Sequence, residues 1–467
     1  MMLGRRLALR VGVRAVSTAA RAEAVFLDWL RDGGARFDKL AIAHTGAGRE
    51  VVATAAYAAG EALLVVPPAL LLTVARAGAR PDVGERLAAA RAARVDGNDG
   101  VLALASFLAN DRSKFWAPYR GVINRSVDHF PVFWPTRDEA LLEGSSLAED
   151  VRERRAAVSA DLDGLGVAAP ADRVAYAIAE ATVLSRAFRH GGSRALVPLA
   201  DLMNTARHHE RDVDFFEENG AFVMRAIRGG ARGDPVRDSY GPKSNARYLL
   251  SYGFALAGND DARGESGDRR SRNGEEFPPV PRGGPSLGSF FSLPLSVVVG
   301  LDDVACDVTL PEAEAFGPKA AAWPRDGASD ASATLRIRLR ATEPIDALLS
   351  AHRVAAASPD EFARLETSTL APLRRRAAFD GADRPHLAAR AVISGLAAAP
   401  FLSDANEAAA LAAIADGADA AAARLKDGGT DDGENARNAR VYLDGQRAAY
   451  AALARRARER AVAPPAP

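Results

Sequence analysis

Four short stretches hold the residue types that could do chemistry: SRAFRH from Ser185 to His190, LVPLADLMN ending at Asn204, DSYGPKSNARYLL starting at Asp238, and SYGF ending at Phe254. Tyr240 and Tyr252 bring phenolic oxygens that can orient a polar group and ring faces that tolerate a cation. Arg186 brings a planar fork of N–H donors suited to a carboxylate. Taken singly, each has a plain structural reading: core aromatics for the tyrosines and Phe188, a helix-surface arginine, a turn at Asn204 and a local cap at Asp201. Two other signals carry no chemistry. His208, His209 and Glu210 are adjacent, without the spacing of a helix-borne metal pair, so they read as a solvated loop and no metal is expected. The glycines at Gly46 and Gly48 lack the spacing and the strand–turn–helix setting of a nucleotide-binding turn.

The elements that must position these stretches alternate in character. From Ala24, AVFLDWLRDGGA predicts a short amphipathic helix ended by Gly33 and Gly34. The run EVVATAAYAAGEALLVVPPALLLT predicts short strands broken by Gly60, Pro67 and Pro68. Residues 82–190 carry apolar positions at helical spacing and read as a helical insert. Mixed β structure returns at ALVPLADLMN and GAFVMRAIRGG. Residues 258–290, rich in Gly, Pro and charge, read as a disordered surface loop. Beyond LRIRLRATEP, Ala, Leu, Arg and acidic residues at helical spacing predict a helical C-terminal domain with a break at DGGTDDGEN.

The 467 residues exceed one ordinary core and predict two or three domains. Sixty basic and sixty acidic residues give zero net charge, so no electrostatic footprint for nucleic acid or anionic lipid is present. The single cysteine, Cys306, excludes an internal disulfide and a cysteine-ligated zinc. No apolar run of about eighteen residues free of charge occurs, so no membrane-spanning helix is expected. Residues 1–22 contain five arginines and no acid before Glu23, which predicts a mitochondrial or plastid leader; a disordered basic terminus on a cytoplasmic or nuclear protein is the alternative.

In this order, with a helical region behind them, the four stretches resemble the SET-domain methyltransferases of the Rubisco large-subunit lysine methyltransferase class, which includes the actin-histidine methyltransferases. The family pattern runs SRAF, VPLADLxNH, then YG with KSNAxLLxxYGF. Upstream, FLDWL, GREVVATAAYAAGEALLVVPPALLLT, FWAPYRGVI, FPVFW and LLEGSSL are also similar, as are LRIRLR, NEAAALAAIADGADAAAARL and NARNARVYLDGQRAAYAAL downstream.

The resemblance implies an α+β fold: a knotted, β-rich SET core at 23–257 with the helical insert, followed after the 258–290 loop by an all-α substrate-binding domain at 291–467. It implies S-adenosylmethionine as cofactor and a protein substrate with lysine as acceptor; nothing in the sequence requires more than a monomer. Tyr240 would stand beside the transferring methyl and Tyr252 would line the lysine channel. Arg186 would face the cofactor carboxylate. Gly48, Arg49 and Glu50 would approach the cofactor through the main chain, joined by Phe188, Asp201, Asn204, Thr205 and Tyr240. A lysine with a pKa of about 10.4 is only about 0.1% neutral near neutral pH, so presenting the free amine costs roughly 4 kcal/mol; an aromatic channel and a nearby sulfonium both disfavour the ammonium.

Three departures stand out. Thr205 replaces the family histidine after Asn204, Glu50 stands where a second glycine often follows Gly48, and Pro235 falls in the segment entering Tyr240. Pro235 fits only an edge or a first strand position. Histidine as acceptor, or a non-catalytic protein that kept the fold to hold a partner, are the alternatives.

Overall fold

The structure, a computed structural model, describes residues 20–45, 48–92, 99–123, 126–241, 243–259, 296–298, 304–310, 333–339, 345–358, 360–361, 364, 401–427 and 433–462. The first nineteen residues of the expected leader and residues 260–290 of the expected loop lie outside them. Two compact units share the chain. The first falls within Met1–Val127 and Ala157–Pro242, the second within Asp128–Ala156, Lys243–Asn273 and Gly284–Pro467.

The first unit opens with a helix over residues 20–32 that buries Phe26 and Leu30, four apart and hence on one face. Strands β1 (Leu40–Thr45) and β2 (Gly48–Ala53) form an antiparallel hairpin in the register Leu40↔Ala53. Strand β3 (Ala62–Val66) pairs with β8 and β4 (Leu72–Thr73) pairs with β6. After the helices come β5 (Phe188–His190), β6 (Ser193–Leu196), β7 (Val213–Glu218) and β8 (Ala221–Ala226). Three small antiparallel sheets result: β1–β2, β3–β8–β7 and β4–β6–β5. The β7–β8 turn places Asn219 and Gly220 at φ 51° and 77°, the left-handed pair that an Asn-Gly hairpin turn requires. In β8, Phe222, Met224 and Ala226 point to the core at every second position.

Two helices back the sheets. Asp99–Asn110 is apolar almost all round, with Val101 to Leu108 buried including Ser106, and Pro170–Arg186 starts on a proline at its first turn. Arg186 therefore sits in the last turn of a helix, one residue before the chain turns into β5.

The helical insert is not one body. Residues 128–156 belong to the second unit, because Trp134, Leu142, Leu147 and Val151 share its core with Leu348, Ile414 and Leu443. The stretch 243–257, placed by sequence in the catalytic domain, also packs there: Ala246 and Leu249 of the Asn245–Tyr252 helix join that core. The all-α expectation needs correction as well. Strands β9 (Ser296–Val298), β10 (Val304–Leu310) and β11 (Ala333–Leu339) make a sheet in the order β10–β11–β9. The strict alternation of LRIRLR is what makes β11 a strand. Helices follow at Asp346–Ala355, Asp404–Arg424 and Glu434–Val462, the last two packed through alanines such as Ala415, Ala418, Ala439 and Ala454.

Among the described residues no helix is long and apolar enough to cross a membrane, and no three His, Cys, Asp or Glu side chains gather closely enough to hold a metal.

Candidate active site

A short 3-10 turn, Ala200–Leu202, forms the centre of the first unit. The residue before it, Leu199, is buried at φ 75°, a left-handed conformation that a leucine adopts only under constraint, at about 1–3 kcal/mol. Two side chains hold the turn. Arg186 donates from Nη1 to the Asp201 carbonyl at 2.5 Å, and the Tyr119 hydroxyl donates to Asp201 Oδ2 at 2.7 Å. Asp201 is buried, and its Oδ1 has no hydrogen-bond partner among the described residues. Burial raises the Asp201 pKa, with the Arg186 charge opposing it.

Beside this turn stand two guanidinium groups. Arg49, in β2, donates to the Val122 carbonyl at 2.6 Å, and its own carbonyl accepts from Asn204 Nδ2 at 3.0 Å. Its pKa is lowered first by burial and next by the positive charge of Arg186. Neither arginine forms a direct carboxylate ion pair among the described residues. Two cations that repel each other in a partly dehydrated place make a receptor for an anion, whose arrival relieves the repulsion.

Tyr240 reaches the same place along a separate strand of chain. Residues 204–206 run parallel to Asp238, with Asp238 N–H donating to the Asn204 carbonyl at 3.1 Å and Ala206 N–H to the Asp238 carbonyl at 2.7 Å. The Tyr240 N–H then donates to Thr205 Oγ1, and its hydroxyl to the Met203 carbonyl, both at 3.1 Å. Desolvation pushes the phenol up to about 12, so at neutral pH it is a fixed donor whose lone pairs can still accept, and it is no general base.

The structure thus gathers Arg49, Arg186, Asn204, Thr205 and Tyr240. Thr205 takes up a role that its sequence position did not suggest, anchoring the Tyr240 backbone. Gly48 begins β2 at φ 105°, open to glycine and strained for any other residue. Glu50 is turned to the hairpin, where Thr45 Oγ1 donates to its Oε2 at 2.9 Å. Asp201, expected among the cofactor residues, faces inward to Tyr119 because its carboxylate is enclosed by the turn it stabilises. Phe188 packs edge-on against Phe215 and Phe222 at 5.4 and 5.1 Å, which makes it first of all a core residue. Tyr252 lies in the second unit, against Tyr248 and Phe254, with the Lys243 ammonium 5.7 Å from its ring centre. Pro235 faces Val52 between two bonds, Ala53 N–H to the Asp234 carbonyl and Val236 N–H to the Val51 carbonyl. That is a non-hydrogen-bonded position of an antiparallel pair, so the missing donor is not needed.

No protein-family profile matches the chain. A Mus musculus protein described as SET domain-containing protein 4 is 27% identical over 287 residues, 54% of this chain and 62% of the relative, so the match spans less than two thirds of that protein. Two solved structures align over 94% of this chain and 92% of theirs at 17% identity: the SET domain of LSMT bound to lysine and AdoHcy, with a TM-score of 0.62, and Rubisco LSMT bound to AdoMet, with 0.63. The chain shares the fold of these SET-domain structures. Within that SET fold, the residue that sequence reasoning missed is Tyr119. It lies in the FWAPYRGVI stretch, and nothing local to that stretch signals that its hydroxyl meets a carboxylate 82 positions away.

Proposed function

We propose that this SET-fold chain is an S-adenosylmethionine-dependent protein methyltransferase whose acceptor is a lysine amine. The observation that carries the reading is the pair Arg49 and Arg186, neither of them in a direct carboxylate ion pair among the described residues, beside the anchored hydroxyl of Tyr240. The donor set fits an amino-acid cofactor: the paired guanidiniums suit its carboxylate, Asn204 holds the β2 main chain in place, and Gly48 keeps the approach there free of a side chain. When bound, the cofactor supplies an activated methyl on a sulfonium. Solved relatives of this fold carry AdoMet, and others carry lysine or monomethyllysine, which supports both halves of the proposal.

The work left to the protein is alignment and desolvation. With its phenol protonated, Tyr240 accepts a hydrogen bond from the incoming amine and orients its lone pair, while the amine's proton is left to solvent before entry. Tyr252 keeps a substrate-contacting assignment on the resemblance alone, as an aromatic face that accommodates a methylated cation.

Titration calorimetry of the full chain with S-adenosylhomocysteine tests the cofactor half. Micromolar binding is expected, weakened about tenfold or more in Arg186→Ala through loss of charge-assisted bonds. A folded protein that does not bind would be a partner-holding scaffold instead. Labelled-methyl transfer read by mass spectrometry tests the acceptor, and methyl on a histidine ring would overturn lysine.

A further inference from the structure

A groove of about 700 Å³ opens elsewhere on the first unit, between the Val74–Gly78 helix and the turn that follows the Asp99–Asn110 helix. Its floor is charged yet balanced. Asp111, 2% exposed, accepts from Arg80 at 2.8 Å through Oδ1 and from Ser113 Oγ at 3.0 Å through Oδ2, which also meets Arg120. Arg80 is matched a second time by Asp82 at 2.8 Å.

The rim is different. Arg76 and Arg112 line the groove and are exposed, as is Lys114, which falls in the chain between the lining residues Ser113 and Phe115, and among the described residues none of the three pairs with a carboxylate. Both arginines are nevertheless held in position. Arg76 donates to the Pro68 carbonyl at 3.2 Å, and Arg112 to the carbonyls of Ala109 and Asp111 at 3.0 and 2.9 Å. Each guanidinium keeps further N–H donors without an acceptor among the described residues. Phe115 lines the same groove and is 47% exposed, its ring braced edge-on by Trp29 at 5.7 Å and Trp116 at 5.1 Å. Fixed cations cost little ordering entropy when an anion binds, and a braced aromatic ring offers apolar contact on the same terms. The bland alternative, a capping role for Arg112 at a helix C-terminus, accounts for its two carbonyl bonds and leaves Arg76, Lys114 and Phe115 unexplained.

We infer that this groove is a docking site for an acidic peptide segment of a partner protein, its carboxylates meeting Arg76, Arg112 and Lys114 and an apolar side chain lying on Phe115. A peptide fits better than a nucleic acid because the positive charge is local on a chain of zero net charge, whereas a polyphosphate backbone needs an extended basic stripe. The site uses none of Arg49, Arg186, Asp201 or Tyr240 and does not depend on the methyl-transfer reading.

The test is fluorescence anisotropy of the full chain with a labelled peptide of glutamate pairs separated by leucines, beside its glutamine counterpart and an oligothymidylate. The acidic peptide binds and the glutamine one does not; affinity falls with added salt, as expected for exposed charges. Arg76→Glu combined with Arg112→Glu weakens binding at least about tenfold, and Phe115→Ala a few-fold. Equal binding of the glutamine peptide overturns the inference, as does tighter binding of the oligothymidylate or an unchanged affinity in the double variant. If charge reversal unfolds the protein, the two Arg→Gln changes, which remove charge and add none, make the same test.

Discussion

The two units bury polarity in opposite ways. The first encloses five carboxylates, Asp111, Asp201, Asp212, Asp238 and Glu180, beside the neutral Ser106 and Thr182, while the second encloses mostly neutral groups, Ser145, Ser244, His352, Asn406 and Gln446. Its one buried acid among the described residues, Glu361, is a local cap that accepts from Ser358 N–H at 2.8 Å and Ser403 Oγ at 2.5 Å. Burying a carboxylate is expensive and rewards only a geometry that satisfies it, so it fixes one arrangement of chain against others. At Asp201 that expense falls where a strained turn, Leu199–Leu202, must be held. The helical unit needs no such device, since small alanine faces and caps at Ser244 and Ser403 already specify its helices.

The contrast is broken most sharply at Tyr240. Tyr240→Phe removes one hydroxyl, which donates to the Met203 carbonyl at 3.1 Å, and keeps the ring, so stability and S-adenosylhomocysteine binding should change little. Methyl transfer should fall about 10²–10³-fold, the usual loss when one placed hydrogen-bonding group leaves a reacting centre. Single-turnover kinetics with a labelled methyl group decides it, and undiminished transfer would remove Tyr240 from the chemistry.

Acid should separate the units next. Burial lowers the His352 pKa to about 4, so the folded second unit holds the neutral ring. As pH falls below about 6.5 the unfolded chain takes up a proton that the folded one refuses, and stability drops by up to about 3 kcal/mol on reaching pH 4. Above that window nothing is lost. Asp201 has the opposite sign: its raised pKa means that protonation relieves a cost of burial, so its contribution improves as pH falls. Denaturant melts across pH 4–7, with His352→Gln removing the acid slope, check the assignment, and an unchanged slope in that variant would refute it.

How much of this was legible beforehand follows the same divide. Arg186, Asn204 and Tyr240 stood in local motifs whose spacing survives in one stretch of chain. The helix ended by Gly33 and Gly34 and the short strands broken by Gly60 and Pro67 were equally readable because period and turn chemistry are local. What sequence could not give was decided by long-range packing: residues 128–156 and 243–257 follow their apolar side chains into the second core, Asp201 turns inward to Tyr119, and Thr205 serves the backbone of a residue 35 positions on. No local pattern encodes such a partner.

The smallest effect is the most diagnostic of charge burial. Tyr119→Phe keeps the ring that stacks on Phe26 at 6.2 Å and Trp29 at 6.4 Å and removes only the hydroxyl that Asp201 Oδ2 accepts. With Oδ1 already unpartnered, the carboxylate then has no side-chain donor, which costs about 1–3 kcal/mol where it is ionised. The folded Asp201 pKa rises further, so the loss grows as pH climbs and shrinks in acid, where both proteins hold a neutral carboxyl. Unfolding free energies of the variant and the parent at two pH values measure this directly. A loss that is the same in acid and at neutral pH would mean that Tyr119 acts through packing alone, and that the strained turn owes its hold to Arg186.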